Sequence, residues 1–200
     1  MSKIDFKKDL AELYRVPAGR AVEVMVPPLR YLTIDGRGGP ASPDYGGAIA
    51  TLYPVVYTLK YSLRPEVNFV VGPLETMWWA EPPATLKRSD PAEWRWKAMI
   101  VVPDLVEEAH LADAADELHR TNKPAPLLDS VTVETIHEGL AVQVMHIGPY
   151  DTEAATISLL HAYITDNGFS PRGHHHEIYL SSPRTTAPEN LKTVIRQPVH

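Results

Sequence analysis

The order strand, helix, strand, strand can be read twice along this 200-residue chain, and that repetition limits the fold more than any other feature. In the first copy, residues 26–103, a strand over residues 30–36 runs into a glycine-rich turn at 36–40. A helix over 44–63 follows, with Tyr45, Ile49, Leu52, Val56, Leu59 and Leu63 at steps of three and four and Pro54 expected to kink it. Two β-rich stretches, 67–79 and 94–102, complete the copy, joined by a loop rich in proline and charge. The second copy, residues 138–199, has a strand at 140–147, a turn at Gly148-Pro149-Tyr150 and a helix capped by Asp151, with Ile157, Leu160 and Ile164 on one side and a stop at Asn167-Gly168. Strands at 175–181 and 191–197 close it, and the two closing strands look alike, KAMIVVP at 97–103 against KTVIRQP at 192–198. Between the copies a connector helix over 104–122 starts at Asp104, with Glu107 three residues on, and residues 131–147 are expected to form a hairpin broken at Glu138-Gly139. The residues before about Arg20 read as a polar leader. The expectation is one α+β domain over 1–200, its duplicated strand-helix-strand-strand units forming one antiparallel sheet with helices on one face and a ligand groove between the repeats.

Composition removes whole classes of function. With no cysteine, there are no disulfides, thiolate nucleophiles or sulfur-ligated metals. A formal charge of -6 without any run of Lys or Arg argues against direct nucleic-acid binding, which needs a concentrated basic surface. No stretch approaches the roughly 20 apolar residues that span a bilayer, and the first residues lack a signal-peptide core, so a cytoplasmic protein with no membrane contact is expected. The 19 prolines sit singly or in short pairs and punctuate the elements.

Several residues are candidates for chemistry. Along 175–181 the side chains alternate, so Ile178 and Leu180 share one face, expected to meet the helices, and His175, Glu177 and Tyr179 share the other, expected to line the groove. By itself that pattern also suits a surface strand with a solvated glutamate. In an apolar groove the Glu177 carboxyl would be raised, which suits a base near neutral pH. Trp78, Trp79, Trp94 and Trp96 gather on two neighbouring strands, where flat rings either sandwich a planar ligand or fill a core. Trp78 and Trp79 must face opposite ways, and parity alone does not say which faces the groove. Tyr57 lies beside core-facing Val56, which puts its hydroxyl near the sheet edge, and Tyr150 sits in the turn before a helix. The run His174-His175-His176 has no carboxylate at a ligand spacing, because neighbouring strand residues point apart, so no metal or other cofactor is expected. No nucleophile elbow or phosphate-binding glycine loop is present.

At Met145-His146-Ile147-Gly148-Pro149-Tyr150-Asp151, at HHEIYLSSPRTTAPE over 175–189 and at LKTVIRQPV over 191–199, the chain resembles GyrI-like small-molecule-binding proteins. Tyr57-Thr58-Leu59-Lys60 and Pro73-Leu74-Glu75-Thr76-Met77-Trp78-Trp79 are similar to the cyclopropanoid cyclopropyl hydrolases of that family, and the likeness extends from Val26 onward. The resemblance implies the duplicated fold, a ligand groove, Glu177 at the family's central acidic position, and an aromatic cage that grips DNA-alkylating spirocyclopropanes and opens them with water. On that basis Glu177 and Tyr57 are the catalytic candidates, and Trp78, Trp79, Trp96, Tyr150, Tyr179 and Met145 the ligand-binding ones. The partner is then a small hydrophobic or aromatic molecule and the outcome xenobiotic detoxification. The alternative from another class is a non-catalytic module that sequesters cationic aromatic drugs, with Glu177 as countercharge. Some relatives carry this domain behind a DNA-binding segment in drug-sensing regulators, for which the leader before Val26 is too short.

Overall fold

Runs of apolar and β-branched residues every second position make strands here, and helices arise where the spacing changes to three and four. The computed structural model describes residues 3–80 and 90–200; the proline- and charge-rich loop expected between the paired β-rich stretches, 81–89, lies outside the described residues. The regular elements run α1 (Phe6–Asp9), α2 (Ala11–Tyr14), β1 (Val22–Val26), β2 (Leu29–Arg37), α3 (Pro43–Ser62), β3 (Leu74–Ala80), β4 (Trp94–Val101), α4 (Glu108–Arg120), β5 (Thr132–Ile136), β6 (Gly139–Ile147), α5 (Ala154–Asp166), β7 (His175–Tyr179) and β8 (Lys192–Pro198). The class is α+β, and the strand pairs within each unit are antiparallel.

The chain divides into two units. Unit 1 holds residues 1–9 and 29–136, and unit 2 holds 10–28 and 137–200. In unit 1 the strand order is β3-β4-β2-β5, with α3 packed on β2 and β4. In unit 2 the order is β7-β8-β6-β1, with α5 packed on β6 and β8. Strand, helix, strand, strand therefore occurs in each, as β2-α3-β3-β4 and β6-α5-β7-β8. Gly38 N–H donates to the Trp94 carbonyl and Gly148 N–H to the Leu191 carbonyl, so these positions correspond. Trp96 then matches Thr193, which shifts the resemblance of the closing strands by two residues and preserves the faces, because two is the strand period.

The fourth strand of each unit departs from the expectation. The expected hairpin over 131–147 does not form: β5 pairs with β2 of unit 1, and β6 pairs with β1 and β8 of unit 2. The link His137-Glu138-Gly139, with Gly139 at φ 65°, has the length and glycine of a hairpin turn, yet the Glu138 carboxylate is buried under Arg196 and His176 and directs the chain into unit 2. The residues before Arg20, expected as a leader, hold α1 and α2, and the segment after them adds β1, whose alternation Val22, Val24, Val26 pairs along β6.

Helix starts also differ. α3 begins at Pro43 with Ser42 as cap, its hydroxyl accepting from Tyr45 N–H, and it continues unbroken through Pro54. α4 begins at Glu108, after a turn in which Val106 N–H reaches the Pro103 carbonyl, and the Glu107 N–H donates to His110 Nδ1. α5 begins at Ala154 behind a 3-10 turn, Tyr150–Thr152, which places Glu153 rather than Asp151 at its N-terminus.

Candidate functional site

The strand register decides which way Glu177 points. Glu177 lies opposite Ile195, which lies opposite Val144. Both partners belong to the core cluster of unit 2 with Leu160 and Ile164 of α5. Residues paired across antiparallel strands share a face, so Glu177, and with it His175 and Tyr179, stands on the α5 side. Ile178 takes the other face, opposite Val194 and Met145. This reverses the expectation that the apolar pair meets the helix; the opposite face has its own cover, because Gln143 and Arg196 donate to the carbonyls of Glu12 and Leu13 in α2.

Two groups hold the Glu177 carboxylate. The His175 Nε2 lies 3.1 Å from Oε1, and the Tyr179 hydroxyl donates to Oε2 at 2.7 Å. The Tyr179 ring meets that of Tyr150 edge to face, with centroids 5.7 Å apart. Burial would raise the Glu177 carboxyl, but the His175 hydrogen bond and charge, the Tyr179 hydroxyl and the charge of His176 outweigh it and hold the group below the ordinary carboxylate range. The raised carboxylate expected at Glu177 is thus not found there.

It is found at Glu153, a residue the sequence reading passed over. Glu153 is 6% exposed, and its Oε1 is buried without a hydrogen-bond partner. Burial, together with the neighbouring Glu177 charge and against a smaller pull from the Thr193 hydroxyl, pushes its carboxyl up to about 9. The Tyr150 hydroxyl is raised as well, by burial and by the charges of Glu153 and Glu177. Nearby, His146 Nε2–H donates to the Pro149 carbonyl at 3.2 Å, and Nδ1 lies 2.9 Å from the Thr156 hydroxyl. The one signal for Glu153 in the sequence was a carboxylate two residues beyond the chosen cap.

On the opposite face of the same sheet lies a second buried acid. Glu138 accepts from Arg196 Nη1 and pairs with His176 Nδ1, both at 2.9 Å, while Arg196 also reaches Gln143 and the Leu13 carbonyl. Burial opposes ionisation of Glu138, but His176 and Arg196 draw its carboxyl down to about 2. Met145, opposite Val194, shares this face and not that of Glu177.

Unit 1 holds the tryptophans. Trp78 and Trp96 are direct partners on β3 and β4 and are buried on the α3 side, their rings 5.0 Å and 5.3 Å from that of Tyr45. Trp94 packs edge-on to Trp78, and the Tyr45 hydroxyl bonds that of Thr76. Gly36 makes this possible, since a Cβ there would lie 2.2 Å from the Trp96 ring. Parity puts half-buried Trp79 on the other face. Tyr57 is exposed on α3, stacked with Tyr61 and beneath Lys60. The structure thus brings Glu177, Tyr179 and Tyr150 together in unit 2 and Trp78 with Trp96 in unit 1. Among the described residues no group of three or more His, Asp or Glu side chains is placed to hold a metal ion, and no helix is long and apolar enough to cross a membrane.

The family model for the GyrI-like small-molecule-binding domain matches residues 22–200. An uncharacterised conserved protein from Listeria innocua is 35% identical, with a TM-score of 0.91 over 98% of this chain and 100% of that one. A structure of a hydrolase from Listeria innocua is 34% identical, with a TM-score of 0.89 and full coverage of both chains, and another is 33% identical, at 0.87 over 98% of this chain and 100% of that one. The C-terminal domain of EcmrR, at 15% identity, TM-score 0.59 and coverage of 90% and 97%, shares the fold. Comparison with curated protein sequences found no match.

Proposed function

Because this chain belongs to the GyrI-like small-molecule-binding domain family, we propose that it is a cytoplasmic hydrolase that grips planar hydrophobic xenobiotics and opens the cyclopropane of DNA-alkylating cyclopropanoids with water. The observation that carries this reading is the Glu177 carboxylate, held by His175 and Tyr179 beside two tyrosine rings. Such a carboxylate can orient a water and take its proton while the rings hold a flat electrophile. The hydrolase names of the Listeria innocua neighbours support a hydrolytic activity. Trp78, Trp79 and Trp96 as ligand-contacting groups, and Tyr57 as hydrogen-bond donor, belong to the same proposal; Met145, on the face away from Glu177, does not. No step in it calls for a metal or organic cofactor.

The test is to mix the purified protein with a spirocyclopropane dienone and follow the water adduct at substoichiometric protein. Glu177→Gln keeps the shape and removes the base. It should slow turnover by ~10²-fold or more while affinity for an inert planar analogue, read by tryptophan quenching, survives; unchanged turnover would rule out the role given to Glu177.

One observation favours a second reading. Glu177 is held ionised, which suits a countercharge, so the same site could sequester cationic aromatic compounds without turnover. There Glu177→Gln would weaken cations selectively, and no water adduct would form with either protein.

A further inference from the structure

A depressed Glu177 is a weak base on its own, and the structure offers a group that corrects this. We propose that Glu153 is the acid partner of Glu177: the resting pair holds one proton, kept on Glu153, which passes to the ligand oxygen that becomes negative as Glu177 takes a proton from water. The proposal rests on the hydrolytic reading above.

The geometry begins with a row of residues across the sheet. His146 on β6 lies opposite Thr193 on β8, which lies opposite Tyr179 on β7. At one end of the row the Pro149 carbonyl is bonded to His146, and at the other the Tyr150 ring packs on Tyr179. The turn from Pro149 to Glu153 is thereby drawn over the row, and Glu153 is buried where it ends, with Thr193 among its neighbours. The groups that act on the pair are His175 and Tyr179 on β7, Tyr150 in the turn and Thr193 on β8, with His176 acting from the far face. The two bonds that His175 and Tyr179 make go to Glu177, and Glu153 Oε1 has none. An ionised oxygen without donors is costly to bury, whereas a carboxylic acid brings its own O–H. Its pKa near 9 agrees with that geometry.

The proton inventory closes. In a spirocyclopropane dienone, the water oxygen forms a bond to the strained carbon as one ring C–C bond breaks. The released electron pair runs to the carbonyl oxygen, which takes the Glu153 proton, and the water proton goes to Glu177. Once Glu153 is ionised, two negative charges stand together and Glu177 becomes more basic at the moment a base is needed. Return of the proton from Glu177 to Glu153 resets the pair, and the net change is addition of one water.

The experiment compares wild type with Glu153→Gln, which copies the shape of the protonated acid. Wild-type kcat should fall as pH rises through about 9, because the acid form is required. In E153Q, kcat should be lower by ~10²-fold, KM nearly unchanged and the alkaline fall absent. A merely structural role would leave that fall in place, and an E153Q protein with full kcat and the same alkaline limb would overturn the proposal. Two readouts do not depend on turnover. The infrared C=O stretch of a protonated carboxylic acid should be present in wild type at pH 7 and lost in E153Q. Affinity for a quaternary aromatic cation should rise through about pH 9 in wild type alone, since ionised Glu153 adds a negative charge. Absence of the wild-type band overturns the proposal even if E153Q does not fold. Presence of the band and of the cation effect without any wild-type turnover would overturn the hydrolytic reading, and the acid role with it, while leaving the shared proton established.

Discussion

Glu153→Gln should make the protein more stable, by an amount that grows with pH. The Glu153 carboxyl has an ordinary value of 4.5 and stands near 9 in the folded protein. Above pH 4.5 the unfolded chain ionises this group and the folded chain does not, so each further pH unit favours unfolding by about 1.36 kcal/mol. The stabilisation that goes with the protonated acid is therefore complete below its unfolded pKa and is lost as pH rises toward the folded one. From 4.5 to pH 7 the loss amounts to about 2–3 kcal/mol, allowing for the compactness of real denatured chains. Glutamine never ionises, so E153Q escapes the loss. Urea unfolding followed by tryptophan emission at pH 5, 7 and 8.5 would read it. With a slope of roughly 2–3 kcal/mol per molar urea, the midpoint should move up by about 1 M at pH 7 and hardly at all at pH 5. A difference that does not grow with pH, or a less stable E153Q at pH 7, would refute the reasoning. A residue that costs stability where an amide would not is expected where the acid has a task.

The other buried acid should behave oppositely. Glu138 is drawn down to about 2, so its stabilisation is present above its ordinary 4.5 and lost as pH falls toward 2; E138Q should flatten the acid-unfolding profile over that window, measured by circular dichroism. Tyr57→Phe should lower turnover of the dienone by at least about tenfold if its hydroxyl helps the developing oxyanion, and equal product formation by the variant would remove it from the mechanism.

The fold was legible where a local pattern has one structural outcome. The short apolar and β-branched runs of β2, β4, β6 and β8 and the three-four spacing of α3 were sufficient, because each of these elements packs within its own unit. What failed were choices that local sequence leaves open. His137-Glu138-Gly139 could turn a hairpin or pass to another unit, and the outcome depends on a partner for Glu138 that sits 58 residues away at Arg196. For the same reason β1 was missed, since its partner, β6, is more than a hundred residues on. At the site, alternation correctly grouped His175, Glu177 and Tyr179, but the face they take is set by α2 covering the other one. Glu153 could not be found by pattern at all, because what singles it out is burial beneath a turn.

Unit 2 contains two buried carboxylate clusters, and they differ in how fully their acids are satisfied. Glu138 has both oxygens engaged, by His176 and by Arg196, and Arg196 is in turn engaged by Gln143 and the Leu13 carbonyl. Protonating Glu138 breaks charge-assisted bonds in a dry interior, so it stays ionised, and Arg196 and Gln143 fasten α2 to the sheet. On the α5 side the balance is different. Glu177 is held by two groups that are themselves proton carriers, His175 and Tyr179, and Glu153 retains an oxygen with no partner. A proton can move within such a cluster without leaving a buried charge stranded, and an unfilled acceptor is a place for a ligand atom or a water. The corresponding positions of unit 1 hold Thr76 where unit 2 has Glu177 and Trp78 where it has Tyr179, following the match of Trp96 to Thr193. One repeat has kept those positions for packing, with Trp78 2% exposed, and the other has filled them with groups that exchange protons. On the hydrolytic reading proposed above, chemistry belongs to the second repeat, at Glu177 and Glu153.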